Sequence, residues 1–273
     1  MFRSWFYVAA ALFVGPVLFA AEVEVKPAAK ATPLRPSGSA TPASSRPAGA
    51  PPGIERSETL PQYRPAVLTV GANSVVNRMN TAGLMKDGQK DASLYFRCSV
   101  SKFGEIMTTW TYKQSPDSTL LERELTRCLD QALFIPAVYD HEPVNAFFFG
   151  AVIFKIVEGK PRLRIFANQE AEELKKESDF ISPQPFLGRG SKFEGLHYPN
   201  DAVTSQLTGL VELAMKVDAT GKLQDLKIVS EYPPLVGFRR AAAEDFRVAS
   251  FIPAFRDGKP VACEITLPVY YEP

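Results

Sequence analysis

The sequence predicts an α+β fold of two tandem modules, each an antiparallel sheet with one packed helix in the order strand, strand, helix, strand. Three observations carry this: apolar residues alternating with period two, apolar residues at helical spacing between prolines, and an internal repeat at a fixed offset. The string Phe134-Ile135-Pro136-Ala137 recurs as Phe251-Ile252-Pro253-Ala254, 117 positions later. The same offset, with no gap, pairs Val100 with Val217, Gly104 with Gly221, Pro116 with Pro233 and Arg123 with Arg240. It also pairs Asp140 with Asp257 and Pro143-Val144 with Pro260-Val261. A chance four-residue match does not bring an upstream turn glycine and a downstream Pro-Val pair into one register.

The elements follow in chain order. Residues 1–20 read as a signal peptide or a retained N-terminal anchor: Arg3 supplies a positive start and Trp5 to Phe19 carries no charge. Ala20-Ala21 offers a cleavage site, while the length of the apolar run sits at the short end for spanning a bilayer. Residues 21–62 are rich in Pro, Ala and Ser and poor in large apolar side chains, the composition of a solvated, semi-extended linker.

Residues 63–167 form the first, diverged module. Leu94, Phe96, Cys98 and Val100 make the inner face of its first strand. Asp117 or Ser118 caps a helix with Leu121, Leu125, Cys128, Leu129 and Ala132 on one face. A long last strand, Asn145 to Val157, is followed by a turn and a further run from Arg162 to Phe166. One misfit stands out. Where the second module has Leu226 and Ile228, the first has Thr109 and Thr111, and its large residues Trp110 and Tyr112 fall on the opposite parity. Either a one-residue bulge or a second buried face accounts for it.

Residues 168–196 read as a connector, with a charged surface helix over Gln169 to Ser178 broken by Ser182-Pro183-Gln184-Pro185. The second module occupies 197–273. Val211, Leu213, Met215 and Val217 share a strand face, and Asp218-Ala219-Thr220-Gly221 turns the chain into a second strand, Lys222 to Ser230. After Pro233-Pro234, Phe238, Ala242, Phe246 and Ala249 fall at helical spacing. A last strand alternates Val261, Cys263, Ile265, Leu267 and Val269 inward.

Chemistry-bearing motifs are scarce. With 31 Lys plus Arg against 30 Asp plus Glu, no charge excess steers the chain to nucleic acid. Three isolated cysteines and two histidines show no metal-ligand spacing, so no metal or other cofactor is expected. His141 and His197 read as surface loop residues, and Gly188-Arg189-Gly190-Ser191 lacks the ending and preceding strand of a phosphate loop. Nothing supports an enzyme, and no catalytic residue is proposed. In an exported protein Cys98 and Cys128 either pair or remain buried thiols.

The second module carries Tyr198-Pro199, Ala202 and Gly209 ahead of its first strand, and Val217-Asp218 with Gly221 at the hairpin. Ala241-Ala242, Phe251 to Ala254, Gly258, Pro260 and Leu267-Pro268-Val269 complete the pattern. In this combination it resembles the C-terminal domain of TonB-type energy transducers. The resemblance implies a periplasmic or inner-membrane-anchored protein that engages an outer-membrane receptor peptide in energy-coupled transport, with an inner-membrane motor complex as second partner. It also implies binding by strand addition to a sheet edge. The last strand is the expected edge, with Glu264, Thr266, Pro268, Tyr270 and Tyr271 as partner-binding residues. The alternative is an exported protein-binding scaffold without energy transduction.

Overall fold

The computed structural model describes residues 60–72 and 74–273. The expected export segment, 1–20, and all but the last three residues of the linker lie outside the described residues.

Short pieces open the first half: β1 (Tyr63–Arg64), β2 (Val67–Leu68), α1 (Val75–Arg78) and α2 (Thr81–Lys86). Then come β3 (Ala92–Val100), β4 (Ile106–Tyr112), α3 (Thr119–Leu129), β5 (Phe134–Ile135), β6 (Ala137–Tyr139), β7 (Glu142–Val157) and β8 (Lys160–Phe166). A linking stretch holds α4 (Ala171–Lys176), β9 (Gln184–Leu187) and α5 (Asn200–Val203). The second half continues with β10 (Gly209–Val217), β11 (Leu223–Tyr232), α6 (Phe238–Arg247), β12 (Phe251–Ile252), β13 (Ala254–Arg256), β14 (Lys259–Val261) and β15 (Cys263–Tyr271).

The protein is an α+β fold with antiparallel sheets. Both halves share strand order, and their registers match except for an additional shift between Glu212 and Leu213 in the second. In the first, β3 lies between β4 and β7; in the second, β10 lies between β11 and β15. Ala92 opposes Phe154 as Gly209 opposes Tyr271, and Cys98 opposes Thr109 as Met215 opposes Leu226, each at the repeat offset. The hairpin glycine and the Phe-Ile-Pro-Ala string, far apart in sequence, meet in space. Phe134 N donates to Gly104 O at 2.8 Å, and Phe251 N donates to Gly221 O at 3.0 Å.

The correspondence runs further upstream than the sequence suggested. Val67 and Leu68 oppose Ile135 and Phe134, as Gln184 and Pro185 oppose Ile252 and Phe251. Arg64 opposes Val138 as Ile181 bridges Phe255. Gly71 and Gly188 follow at equivalent positions, with φ of +97° and +107°. Within the expected connector, 168–196, Ile181 and Gln184–Pro185 pair with the second half and Phe186–Leu187 with β7 of the first.

The expected inner faces are in place. Leu94, Phe96, Cys98 and Val100 are fully buried with α3, and Val211, Leu213, Met215 and Val217 are buried with α6. Three details differ. Neither Asp117 nor Ser118 caps α3 through its side chain; the buried amide of Gln89 accepts from Leu121 N at 2.8 Å instead. Ala249 is buried just beyond the end of α6, and Cys263 and Val261 are only half-buried. Cys98 and Cys128 are unbonded thiols, and burial pushes the Cys98 thiol up to about 12.

The parity misfit resolves as a second buried face. The bulge between Ser99 and Val100 has its counterpart between Lys216 and Val217, and the further one of the second half, between Glu212 and Leu213, falls beyond Leu226 and Ile228, so neither explains the difference. Thr109 and Thr111 keep the register of Leu226 and Ile228, with Thr111 Oγ1 donating to Glu122 of α3. Trp110 and Tyr112 lie on the other face. There Arg97 sits 4.1 Å from the Trp110 ring centroid, and Phe147 and Phe149 of β7 join the core of the second half. Ile252 and Phe255 return the exchange by packing into the core of the first. β9 stitches the halves together, pairing β12 through Gln184 and Pro185 and β7 through Phe186 and Leu187.

Candidate functional site

An antiparallel strand turns alternate residues' N–H and C=O groups toward its neighbour and the rest away. β15 pairs with β10 without a register shift, and among the described residues no strand pairs with its other side. Thr266 N faces outward, because it donates to Glu170 Oε2 at 2.7 Å. By alternation Glu264, Pro268 and Tyr270 also face outward. This is the edge expected from the sequence, and its residues occupy different environments.

Glu264 and Thr266 are exposed, and Glu264 pairs with Lys216 at 3.1 Å. Pro268 is buried and brings no N–H to the edge. Tyr270 is half-buried, its ring stacked on Tyr112 at 5.5 Å and its carbonyl accepting from Arg97 Nη1 at 3.3 Å. Tyr271, expected as an aromatic contact for a partner, is instead a core residue at 3% exposure, packed on Phe238. Its inward parity is that of Val269 and Leu267, so an added strand would not meet its ring.

Two residues missed by the sequence reading, Arg97 of the first half and Glu170 just ahead of α4, thus act on this edge. Arg97 lies on the outer face of β3, where alternation alone suggests solvent; it is 5% exposed between Trp110 and Phe147. Burial lowers its guanidinium below its ordinary value, and its Nε is buried without a hydrogen-bond partner. Glu170 ends the link into α4, next to Gln169. The Gln169 amide donates to Phe96 O at 3.0 Å and Gly150 O at 2.8 Å and accepts from Tyr112 OH at 3.0 Å. That buried amide fixes the backbone from which Glu170 reaches β15. The charged run 169–178 gave no hint of either role.

The opposite edge of the same sheet is β11. Its apolar side chains Val229 and Tyr232 are 56% and 75% exposed. Glu212, on the strand between, is bridged by Lys113 of the first half at 2.9 Å.

A cleft of about 490 Å³ opens at the start of the second half between His197, Tyr198 and α6. His197, expected in a surface loop, is exposed but tied down. Its Nδ1 is 2.6 Å from Asp245 Oδ1, and its backbone N donates to Asp245 Oδ2 at 2.9 Å. Asp245 is 5% exposed and also accepts from Tyr271 OH at 3.4 Å. The hydrogen bond and charge of that carboxylate raise the His197 pKa above the ordinary imidazole value. The pair joins the entry segment, α6 and the end of β15. His141 sits in the β6–β7 turn, its ring nitrogen 2.6 Å from Leu60 O.

Among the described residues no helix is long and apolar enough to cross a membrane. A search of curated proteins finds no match. Residues 194–273 match the family model described as the Gram-negative bacterial TonB protein C-terminal. That family is a non-enzymatic, envelope-associated domain of energy-coupled transport that generally interacts with proteins such as outer-membrane receptors. The segment that carries β10, β11, α6 and β15, residues 194–273, belongs to the TonB C-terminal family.

Proposed function

We propose that this chain is a TonB-like protein of the periplasm that engages an outer-membrane receptor peptide by strand addition to β15, in support of energy-coupled transport. The observation that carries the reading is the unpaired side of β15 in a domain of this family. Exposed N–H and C=O groups at an edge bind an extended peptide through its backbone. The proposed contacts are Glu264, Thr266, Pro268 and Tyr270, with Tyr271 supporting the strand from the core. An inner-membrane motor complex is the second proposed partner, reached through residues 1–20 if these stay as an anchor. The first half is proposed to be a diverged copy of the second, since both share order and register at one offset.

The test is proline at Glu264, whose N–H points away from β10. Glu264→Pro in a folded protein is expected to abolish capture of purified TonB-dependent receptors; undiminished capture excludes this edge. The partial cover over Pro268 and Tyr270 favours a second reading, an exported binding scaffold without energy transduction. Sequencing the mature N-terminus separates the two, because removal of residues 1–20 leaves no anchor through which a membrane motor acts.

A further inference from the structure

The first half supplies an internal example of how this kind of edge is filled. β7 corresponds to β15, and its outer side is taken by β9 at Asn145 and Ala146 and by β8 from Ala151 onward. In β15 the position equivalent to Ile153, which β8 pairs through Arg164, is Tyr270. There the Arg97 guanidinium stands in for the missing strand. Pro268 next to it has no N–H to offer. The uncovered part of the edge is therefore Cys263–Leu267, whose outward donors are Glu264 N and Thr266 N, and Thr266 N is held by Glu170.

We propose that Glu170 is the gate of this edge and that it selects an extended partner segment carrying a basic side chain. The proposal rests on the strand-addition reading above. An incoming strand must place its own carbonyl on Thr266 N–H, which displaces the Glu170 carboxylate. The displaced group stays close by, because Gln169 is anchored to Phe96 O and Gly150 O. Adjacent strands lie about 4.8 Å apart, so the carboxylate then faces the side chains of the added strand. Of the neighbouring charges, Glu264 is neutralised by Lys216 and Glu212 by Lys113, whereas no cation pairs with Glu170 among the hydrogen bonds and ion pairs of the described residues. A lysine or arginine on the partner satisfies it; an acidic residue is repelled.

Two labelled heptapeptides probe this with the full chain: Thr-Val-Thr-Lys-Thr-Val-Thr and the same peptide with Glu at the centre. The wild type is expected to bind the lysine peptide about threefold or more tightly than the glutamate peptide, the scale of partly exposed charge pairs. Glu170→Gln keeps an acceptor and removes the charge, so the preference should vanish. Glu170→Ala should accelerate amide exchange at Thr266 while exchange at Leu267, paired to β10, stays slow. Equal affinity for both peptides, a preference that survives Glu170→Gln, or unchanged exchange at Thr266 in Glu170→Ala overturns the gate. If the peptides bind with equal affinity and Glu264→Pro abolishes that binding, the gate falls and strand addition stands. If neither peptide binds wild type or Glu170→Ala, both fall.

Discussion

At the scale of single residues, the repeat is a contact rather than a coincidence of letters. A Cβ on Gly221 would stand 1.8 Å from Phe251 O, and one on Gly104 2.1 Å from Phe134 O, at φ of +83° and +85°. Both halves thus need glycine where the hairpin passes beneath the Phe-Ile-Pro-Ala string. Gly221→Ala is expected to cost about 3 kcal/mol or more in urea unfolding, the sum of left-handed strain and backbone clash. Gly258→Ala, also at positive φ but with open space around it, should cost only about 1 kcal/mol. Equal losses would show that strain alone matters.

His197 gives a pH signature. Its pKa is raised in the folded protein by Asp245, so its contribution is complete below the unfolded imidazole value of about 6.5 and is lost as pH rises through the raised folded value. The stability difference between wild type and His197→Gln should therefore shrink on going from pH 6 to pH 9. A difference that stays constant, followed by thermal melts across that range, removes the ion pair from the account.

At the scale of elements, β7 explains why the halves are not independent. Its run Ala146 to Val152 is buried on both faces, with Phe148 and Val152 in the first core and Phe147 and Phe149 in the second. A strand with both faces covered reads as a continuous apolar run, and this one does. That run was the available signal for a two-sided strand, and the parity of Trp110 and Tyr112 was its echo in β4. Phe149→Ala should destabilise by about 3–5 kcal/mol although it lies in the first half, because the cavity opens in the second core. The buried Gln169 amide carries a similar burden. Gln169→Ala leaves Phe96 O, Gly150 O and Tyr112 OH without their partner and is expected to cost about 2–4 kcal/mol by the same unfolding measurement.

At the scale of the molecule, the described residues form one compact unit in which each half buries side chains of the other. Trp110 fluorescence, reporting on the junction, and far-UV circular dichroism, reporting on all elements, should follow a single coincident transition for wild type and for Phe149→Ala. Two separated midpoints would show that the halves unfold alone. The same union governs binding. Arg97 and Tyr112 of the first half lie on Tyr270, Pro268 is buried, and Glu170 ahead of α4 holds Thr266 N–H, so the free edge is shortened and latched.

The sequence by itself determined the α+β class, the inner faces of β3, β10 and α6, the turn at Gly221 and the family of residues 194–273. Each of these is local: period, spacing and turn chemistry act within a few residues and leave their mark on them. The tertiary structure alone decided that β9 pairs with both halves, that Tyr271 points into the core, and that Arg97 and Glu170 reach β15. Those outcomes depend on how one sheet lies against another. A side chain on a strand's outer face carries the same letter whether it meets water or a second core, and only the packing of the halves distinguishes the two.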